Sequence, residues 1–301
     1  YFIGQRLNYT TRDKVCVPVP LYHCFGMVIG TLACLTHGAS MVLPSEGFDP
    51  LFTLEAIQAE QCTSLYGVPS MFIAELDHPE FKRFDMSSLR TGVMAGSTCP
   101  AEVMRLCIDK MNLTEMTICY GMTETSPVST QTLIGDPLGK QVSTVGYVHP
   151  HLEIKIVDSE RRVVPRGTPR EYCLRGYSVM KGYWNDTEAT ANAIDSARWM
   201  HSGDIGVMDA DGYIEIVGRI KDMVIRGGEN IYPREIEEFL YKHKDVAEVQ
   251  VFGVSDAKFG EELCAWIKLR DGSNLSKENI RAFCFEQIAY YKVPRYIEFV
   301  E

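Results

Sequence analysis

Residues 218–237 read GRIKDMVIRGGENIYPREIE, and this stretch decides how the second half of the chain is organised. Gly227 and Gly228 stand side by side, and two residues without a Cβ admit positive φ or a close backbone approach, so they mark a tight turn. Pro233 suits the first turn of a helix, where its missing N–H costs nothing, and Glu235, Glu237 and Glu238 suit the positive end of that helix. Working outward, strand-like runs at 246–254 and 264–269 and a helical run at 277–285 predict a compact α+β unit over 222–301. The joint with what precedes it falls at 219–222.

Upstream, short β-rich runs alternate with helical ones. The pattern predicts strands at 14–19, 40–43, 64–66, 90–94 and 115–120, and a buried helix at 26–36. Further helices are expected at 50–61, with Leu51, Leu54 and Ile57 on one face, and at 100–111 behind Pro100. Strands alternating with helices imply a parallel sheet covered on both faces, spanning 1–146. From 147 to 219 the rhythm changes to strand-like runs at 152–158, 171–175, 205–209 and 213–217 separated by turn clusters, which reads as a small β-barrel or sheet subdomain.

Three clusters carry possible chemistry. Tyr120-Gly-Met-Thr123-Glu124 follows a predicted parallel strand, and loops beyond the carboxyl ends of such strands are where open α/β sheets bind ligands. His201-Ser-Gly-Asp204 places a carboxylate, able to accept from two hydroxyls at once, in what reads as a turn before a strand. The third cluster is the 218–237 stretch, with Arg219, Lys221 and Arg226. Each has a bland reading when isolated: a capped loop with a core tyrosine, an Asx turn in which Asp204 satisfies its own backbone, and surface cations on a connector.

In this order and spacing the clusters resemble the adenylate-forming superfamily, which holds acyl-CoA synthetases, peptide-synthetase adenylation domains and luciferases. Arg226-Gly-Gly-Glu-Asn-Ile-Tyr-Pro233 and Gly182-Tyr-Trp184 look most similar to the medium-chain fatty acyl-CoA ligase branch. The resemblance covers essentially the whole chain. It implies an α/β adenylate-forming fold: a large domain over 1–219, incomplete at its start, and a small mobile domain over 222–301, incomplete at its end. It further implies that ATP, with Mg²⁺, activates a fatty acid as acyl-AMP and that CoA then takes the acyl group. On the matching positions Tyr120 lies against adenine, Thr123 binds phosphate and Glu124 holds the metal. Asp204 takes the ribose, Arg219 contacts the nucleotide, and Gly96, Ser97 and Thr98 border adenine and the acyl pocket. His23 stands beside the acyl channel, although a lone histidine at a strand end is as readily a satisfied core residue. Gly227 and Gly228 face the site during thioester formation, and Lys221 is the hinge about which the small domain turns.

Two parts of the family pattern do not occur in the sequence: the Gly/Ser/Thr-rich phosphate loop and the Gly-Lys whose lysine drives adenylation. Both are expected outside residues 1–301, so the 301-residue piece is expected to be inactive by itself. One internal departure, Arg170-Glu171-Tyr172 where relatives carry Gly-Glu-Leu, is expected to change a turn and not the chemistry.

Composition bounds the rest. A 46% hydrophobic, 23% charged chain is an ordinary globular mix with room for two or three cores, and its net charge of −10 disfavours nucleic acid or an anionic membrane as partner. The negative charge of ATP and CoA must then be met locally by Mg²⁺ and by Arg219, Lys221 and Arg226. Ten cysteines without a CxxC read as small buried hydrophobes in a reducing compartment, and His149-Pro-His151 reads as a strand entrance. The longest apolar run, 25–35, is too short to span a bilayer. The expected partners are small molecules, the oligomeric state stays open, and the expected compartment is the mitochondrial matrix or otherwise the cytoplasm. Rival readings are an adenylation domain that loads a carrier protein and a non-catalytic nucleotide- or acyl-binding module.

Overall fold

The structure, a computed structural model, describes every residue except Thr98, Asp271 and Glu301. Its first sheet contains β1 (Lys14–Cys16), β2 (Ser40–Val42), β3 (Ser64–Gly67), β4 (Thr91–Met94), β5 (Glu115–Gly121), β6 (Val128–Gln131) and β7 (Tyr147–Val148). They hydrogen-bond in the order β2-β1-β3-β4-β5-β6-β7, parallel from β2 to β5 and antiparallel from there on. Every residue of β3 and β4 is buried, as a parallel strand covered on both faces requires.

Crossover helices run over Pro50–Glu60, Pro69–Leu76 and Ala101–Met111, the second of them missed by sequence reading. Pro50–Glu60 starts where the Asp49 carboxylate accepts the Phe52 N–H at 3.0 Å, with Pro50 in the first turn, and it buries Thr53, Leu54 and Ile57. The connection from β1 to β2 departs from expectation. It winds as a wide π-helix over Phe25–Leu32 and tightens to an α-helix over Ala33–His37. Phe25, Ile29, Ala33 and Cys34 are buried, whereas Met27, Leu32 and Leu35 are exposed. A continuous apolar run suggests burial all round, but a helix lying on a sheet covers only one of its faces.

The strands β8 (Leu152–Val157), β9 (Arg170–Gly176), β10 (Met200–Met208) and β11 (Ile214–Arg219) pair in the open order β11-β10-β9-β8. The last sheet holds β12 (Val224–Arg226), β13 (Glu229–Ile231), β14 (Val246–Asp256), β15 (Gly260–Leu269) and β16 (Tyr296–Val300), with β16 parallel to β15. Helices Pro233–Leu240 and Lys277–Cys284 bury Ile236, Leu240, Ile280 and Cys284 in one core with Val249, Val251, Ala265 and Ile297.

Packing divides the chain into two compact units, 1–168 with 172–202 and 207–215, and 169–171 with 203–206 and 216–301. The joint expected at 219–222 therefore lies inside the second of these units. All ten cysteines are free thiols and nine are buried; Cys24 is the partly exposed one.

Arg90 fastens the amino ends of the parallel strands. Its guanidinium donates to the Leu7 and Asn8 carbonyls, to Asp13 Oδ1 at 2.9 Å and to Glu115 Oε2 at 2.6 Å. Burial raises the pKa of Asp13, but hydrogen bonds from Thr63, Thr10 and Arg90 outweigh that and hold its carboxyl below the ordinary value. A depressed carboxyl stabilises the fold above its unfolded value near 3.8, and that contribution is lost as pH falls through the lower folded value. Asp13→Asn should therefore cost about 2 kcal/mol near neutral pH. In denaturant titrations the gap from wild type should close as pH drops below 3.8.

Candidate active site

Because β1, β3, β4 and β5 are parallel neighbours, the segments that leave their carboxyl ends emerge at one edge of the sheet. β1 connects to β2 on one side, whereas β3, β4 and β5 extend on the other, so the strand order reverses between β1 and β3. Open α/β sheets bind ligands at such a reversal. The edge receives His23 and Cys24 after β1, Gly96 and Ser97 after β4, and Tyr120, Thr123 and Glu124 at and after the end of β5. Thr98, expected with Gly96 and Ser97, lies outside the described residues. Gly96 has φ +92°, and Gly96 and Ser97 are exposed.

The Tyr120–Glu124 turn has a specific shape. A Cβ on Gly121 would collide with the Pro127 carbonyl, so only glycine fits. The Met122 N–H donates to that carbonyl at 3.0 Å, and the Thr125 hydroxyl donates to it at 2.5 Å from inside the turn. This leaves Thr123 exposed and Glu124 half-buried. Glu124 Oε1 accepts the Tyr183 hydroxyl at 2.8 Å, and among the described residues Oε2 has no hydrogen-bond partner. Cys24 Sγ lies 3.7 Å from Thr123 Oγ1, which brings the β1 loop onto the Thr123 turn. His23 is exposed, and its Nδ1 accepts the Phe25 N–H at 3.0 Å, so the neutral ring carries its proton on Nε2. Sequence reasoning missed Cys24 and Tyr183 as site neighbours, since neither contact is local along the chain.

The Tyr120 ring meets Tyr172 edge-on, with centroids 5.4 Å apart, and the Tyr172 hydroxyl donates to Ser129 Oγ at 3.0 Å. Arg170-Glu171-Tyr172 thus does not alter a turn. It lies within β9, and its tyrosine is fully buried beside Tyr120.

Asp204 also differs from expectation. It lies inside β10, not at the end of a turn, with the kink absorbed by Gly203 at φ +72°. The residue is only 4% exposed, and its side chain pairs with Arg219, Nε to Oδ1 at 3.1 Å. The two residues expected to hold ribose and nucleotide are therefore in contact. Arg226 forms an ion pair with Glu262, which is 1% exposed, and its guanidinium stacks 4.1 Å from the Phe259 ring centroid. Of the three cations expected to meet the substrate's charge, Lys221 alone makes no ion pair among the described residues. It sits exposed in the short helical turn Ile220–Asp222.

Gly227 and Gly228 form the two-residue loop of the β12–β13 hairpin, closing Arg226 against Glu229. Their φ values of +59° and +91° are those of a hairpin turn whose twist matches its strands, which demands glycine or a close substitute at both positions.

These features define an α/β chain of the adenylate-forming fold. Residues 1–184 match the AMP-binding enzyme family and 235–301 match the AMP-binding enzyme C-terminal domain. The chain belongs to the AMP-binding enzyme family. It is 53% identical over 300 residues to YngI of Bacillus subtilis, a protein named provisionally as an acyl-CoA synthetase, covering 99% of this chain and 54% of the relative. It is 47% identical to the mitochondrial medium-chain acyl-CoA ligase ACSF2 of Danio rerio, covering 100% of this chain and 50% of the relative. The ATP-bound structure of MatB from Rhodopseudomonas palustris superposes with a TM-score of 0.89 at 28% identity, covering 99% of this chain and 58% of MatB. The resemblance to the acyl-CoA synthetase branch is thus borne out, and the chain spans about half the length of the curated relatives it matches.

The Arg226–Glu262 pair is a structural contact that variants can probe. Arg226→Met strands a buried carboxylate and should destabilise the protein by about 3 kcal/mol. The double variant Arg226→Met/Glu262→Met should recover most of that loss, as read from denaturation midpoints.

Proposed function

We propose that the complete protein is an AMP-forming acid–thiol ligase that joins a fatty acid, of medium chain length, to CoA. The observation that carries this reading is the assembly of Thr123, Glu124 and the 96–97 loop at the carboxyl edge of a parallel sheet, in a chain of this family. A carboxylate oxygen of the fatty acid attacks the α-phosphorus of ATP and pyrophosphate leaves. The CoA sulfur then attacks the acyl carbonyl and AMP leaves. In this scheme Tyr120 lies against adenine, Thr123 donates to phosphate, and Asp204 accepts the ribose hydroxyls with Arg219 beside it. Gly96 and Ser97 border adenine, His23 lies near the acyl chain, and Gly227 and Gly228 let the backbone approach during thioester formation.

Glu124 fits a magnesium ion. It is a half-buried hard oxygen donor with one oxygen uncommitted, and Mg²⁺ is commonly held by one or two carboxylates with water and substrate phosphates completing the octahedron. Bound there, the ion would neutralise phosphate charge.

No helix among the described residues is long and apolar enough to cross a membrane. The name of ACSF2 supports a mitochondrial site for a eukaryotic protein, and the bacterial YngI supports none.

The test is ATP–pyrophosphate exchange by the complete protein across straight-chain acids of increasing length, followed by thioester assay. Exchange should peak at medium-chain acids, and residues 1–301 alone should give none. Exchange without any transfer to CoA would overturn the ligase reading. In the complete protein, Asp204→Ala should raise the KM for ATP at least tenfold.

We further propose 219–222 as the joint between large and small domains, with Lys221 as hinge, since two half-reactions at one site need φ/ψ changes concentrated at a few residues. Lys221→Pro would crowd the helical Ile220 before it. Ile220→Pro fits better, because Arg219 is extended at φ −112°, ψ 146° and Ile220 opens the turn. It should spare exchange and depress thioester formation, and equal loss of both would count against the hinge.

A further inference from the structure

We infer that Tyr183 is a positioning residue that orients the Glu124 carboxylate, holding Oε1 so that Oε2 faces the metal and its water. This inference rests on the reading of Glu124 as the Mg²⁺ ligand.

Two hydrogen bonds tie Glu124 to a segment far along the chain: the Tyr183 hydroxyl donates to Glu124 Oε1 at 2.8 Å, and the Met180 N–H donates to the Glu124 carbonyl at 2.8 Å. Side chain and backbone of Glu124 are therefore gripped by the same segment. That segment is itself braced. The Tyr183 N–H donates to Thr190 Oγ1 at 2.8 Å, and the Thr190 hydroxyl donates to the Asp186 carbonyl at 2.7 Å. Asp186 in turn caps the helix Thr187–Ala193 by accepting the Ala189 N–H at 2.8 Å. The Arg198 guanidinium donates to the Met180 carbonyl at 3.1 Å. Gly182 lies so close to Thr190 that a Cβ would come 2.8 Å from Cγ2.

This construction gives the phenol a fixed reach. Tyr183 is 40% exposed, so its hydroxyl could have been satisfied by water alone. A phenol keeps its proton at physiological pH and so serves as the donor in this bond. A carboxylate with one oxygen pinned loses torsional freedom before the cation arrives. Partners that orient metal ligands in this way typically contribute 10–100-fold to metal affinity.

The test uses the complete protein with a non-hydrolysable ATP analogue and Mn²⁺ as a paramagnetic probe, titrated by electron paramagnetic resonance. Tyr183→Phe keeps the ring and should weaken Mn²⁺ binding about tenfold. Its melting temperature and its affinity for the analogue without metal should not change, which a merely structural role would not produce. Glu124→Gln serves as reference and should weaken Mn²⁺ binding more than Tyr183→Phe does. Near-wild-type binding by Tyr183→Phe, with Glu124→Gln impaired, would overturn the positioning role and leave the metal reading standing. Unaltered binding by Glu124→Gln would overturn both.

Discussion

The Arg90 guanidinium joins four stretches of chain that meet at the amino ends of the parallel strands. It holds the carbonyls of Leu7 and Asn8, the carboxylate of Asp13 just before β1, and that of Glu115 at the start of β5. Its own backbone accepts the Glu115 N–H at 2.8 Å and donates to the Thr63 carbonyl at 3.0 Å. A parallel sheet has two unlike edges, and one must be closed if the other is to stay open for a ligand. Here the amino edge is stitched by charge-assisted bonds while the carboxyl edge carries loops with small or polar residues. The polar pair Tyr9 and Tyr66, whose hydroxyls lie 2.9 Å apart within the core, contributes a further fixed bond beneath that closed edge.

Charge in the second unit is handled by pairing. Arg226 faces the almost fully buried Glu262, and Arg219 faces the almost fully buried Asp204. Deleting one member of such a pair leaves an uncompensated buried ion, and this usually costs more than the intact pair contributes. The motif that suggests nucleotide chemistry therefore also holds its own fold together. A binding defect in a variant at these positions must be separated from a folding defect before either is assigned.

Much of the architecture was legible because local chemistry and global fold agree. Pro50, Pro100 and Pro233 announce helix starts, and the Gly227–Gly228 pair announces a turn that the structure shows as a hairpin loop with both φ positive. The alternation of short apolar runs with helical ones gave the parallel sheet and its order of elements. Other features lie beyond local reading. The helix Pro69–Leu76 carries the same proline start, but it follows β3 after a single residue, so no turn cluster separates it from the strand. The antiparallel strand β6 lies within the mostly polar Val-Ser-Thr-Gln-Thr run at 128–132, whose pairing with β5 and β7 is a matter of register and not of composition. Asp204 reads as a turn former because Ser-Gly-Asp is a turn sequence, yet Gly203 bends the backbone inside a continuous strand instead. The contact of Tyr183 with Glu124 joins segments far apart in sequence. Only the tertiary fold brings them together.

An ion pair does not withdraw an arginine from ligand service. Arg219 meets Asp204 through Nε, so the planar fork has further N–H donors that this contact does not use, while the carboxylate fixes its direction. A lysine at that place would spend its single charged group on Asp204 and keep no fixed geometry. Lys221, by contrast, has no anionic partner among the described residues and lies exposed in a three-residue turn. A cation that belongs to no internal pair can change its surroundings without stranding a buried charge. In a chain of net charge −10, that freedom is available only where a positive group stays out of the folded ion-pair pattern. Within 219–222, Arg219 is therefore tied to a buried carboxylate, whereas among the described residues Lys221 is tied to no anionic group.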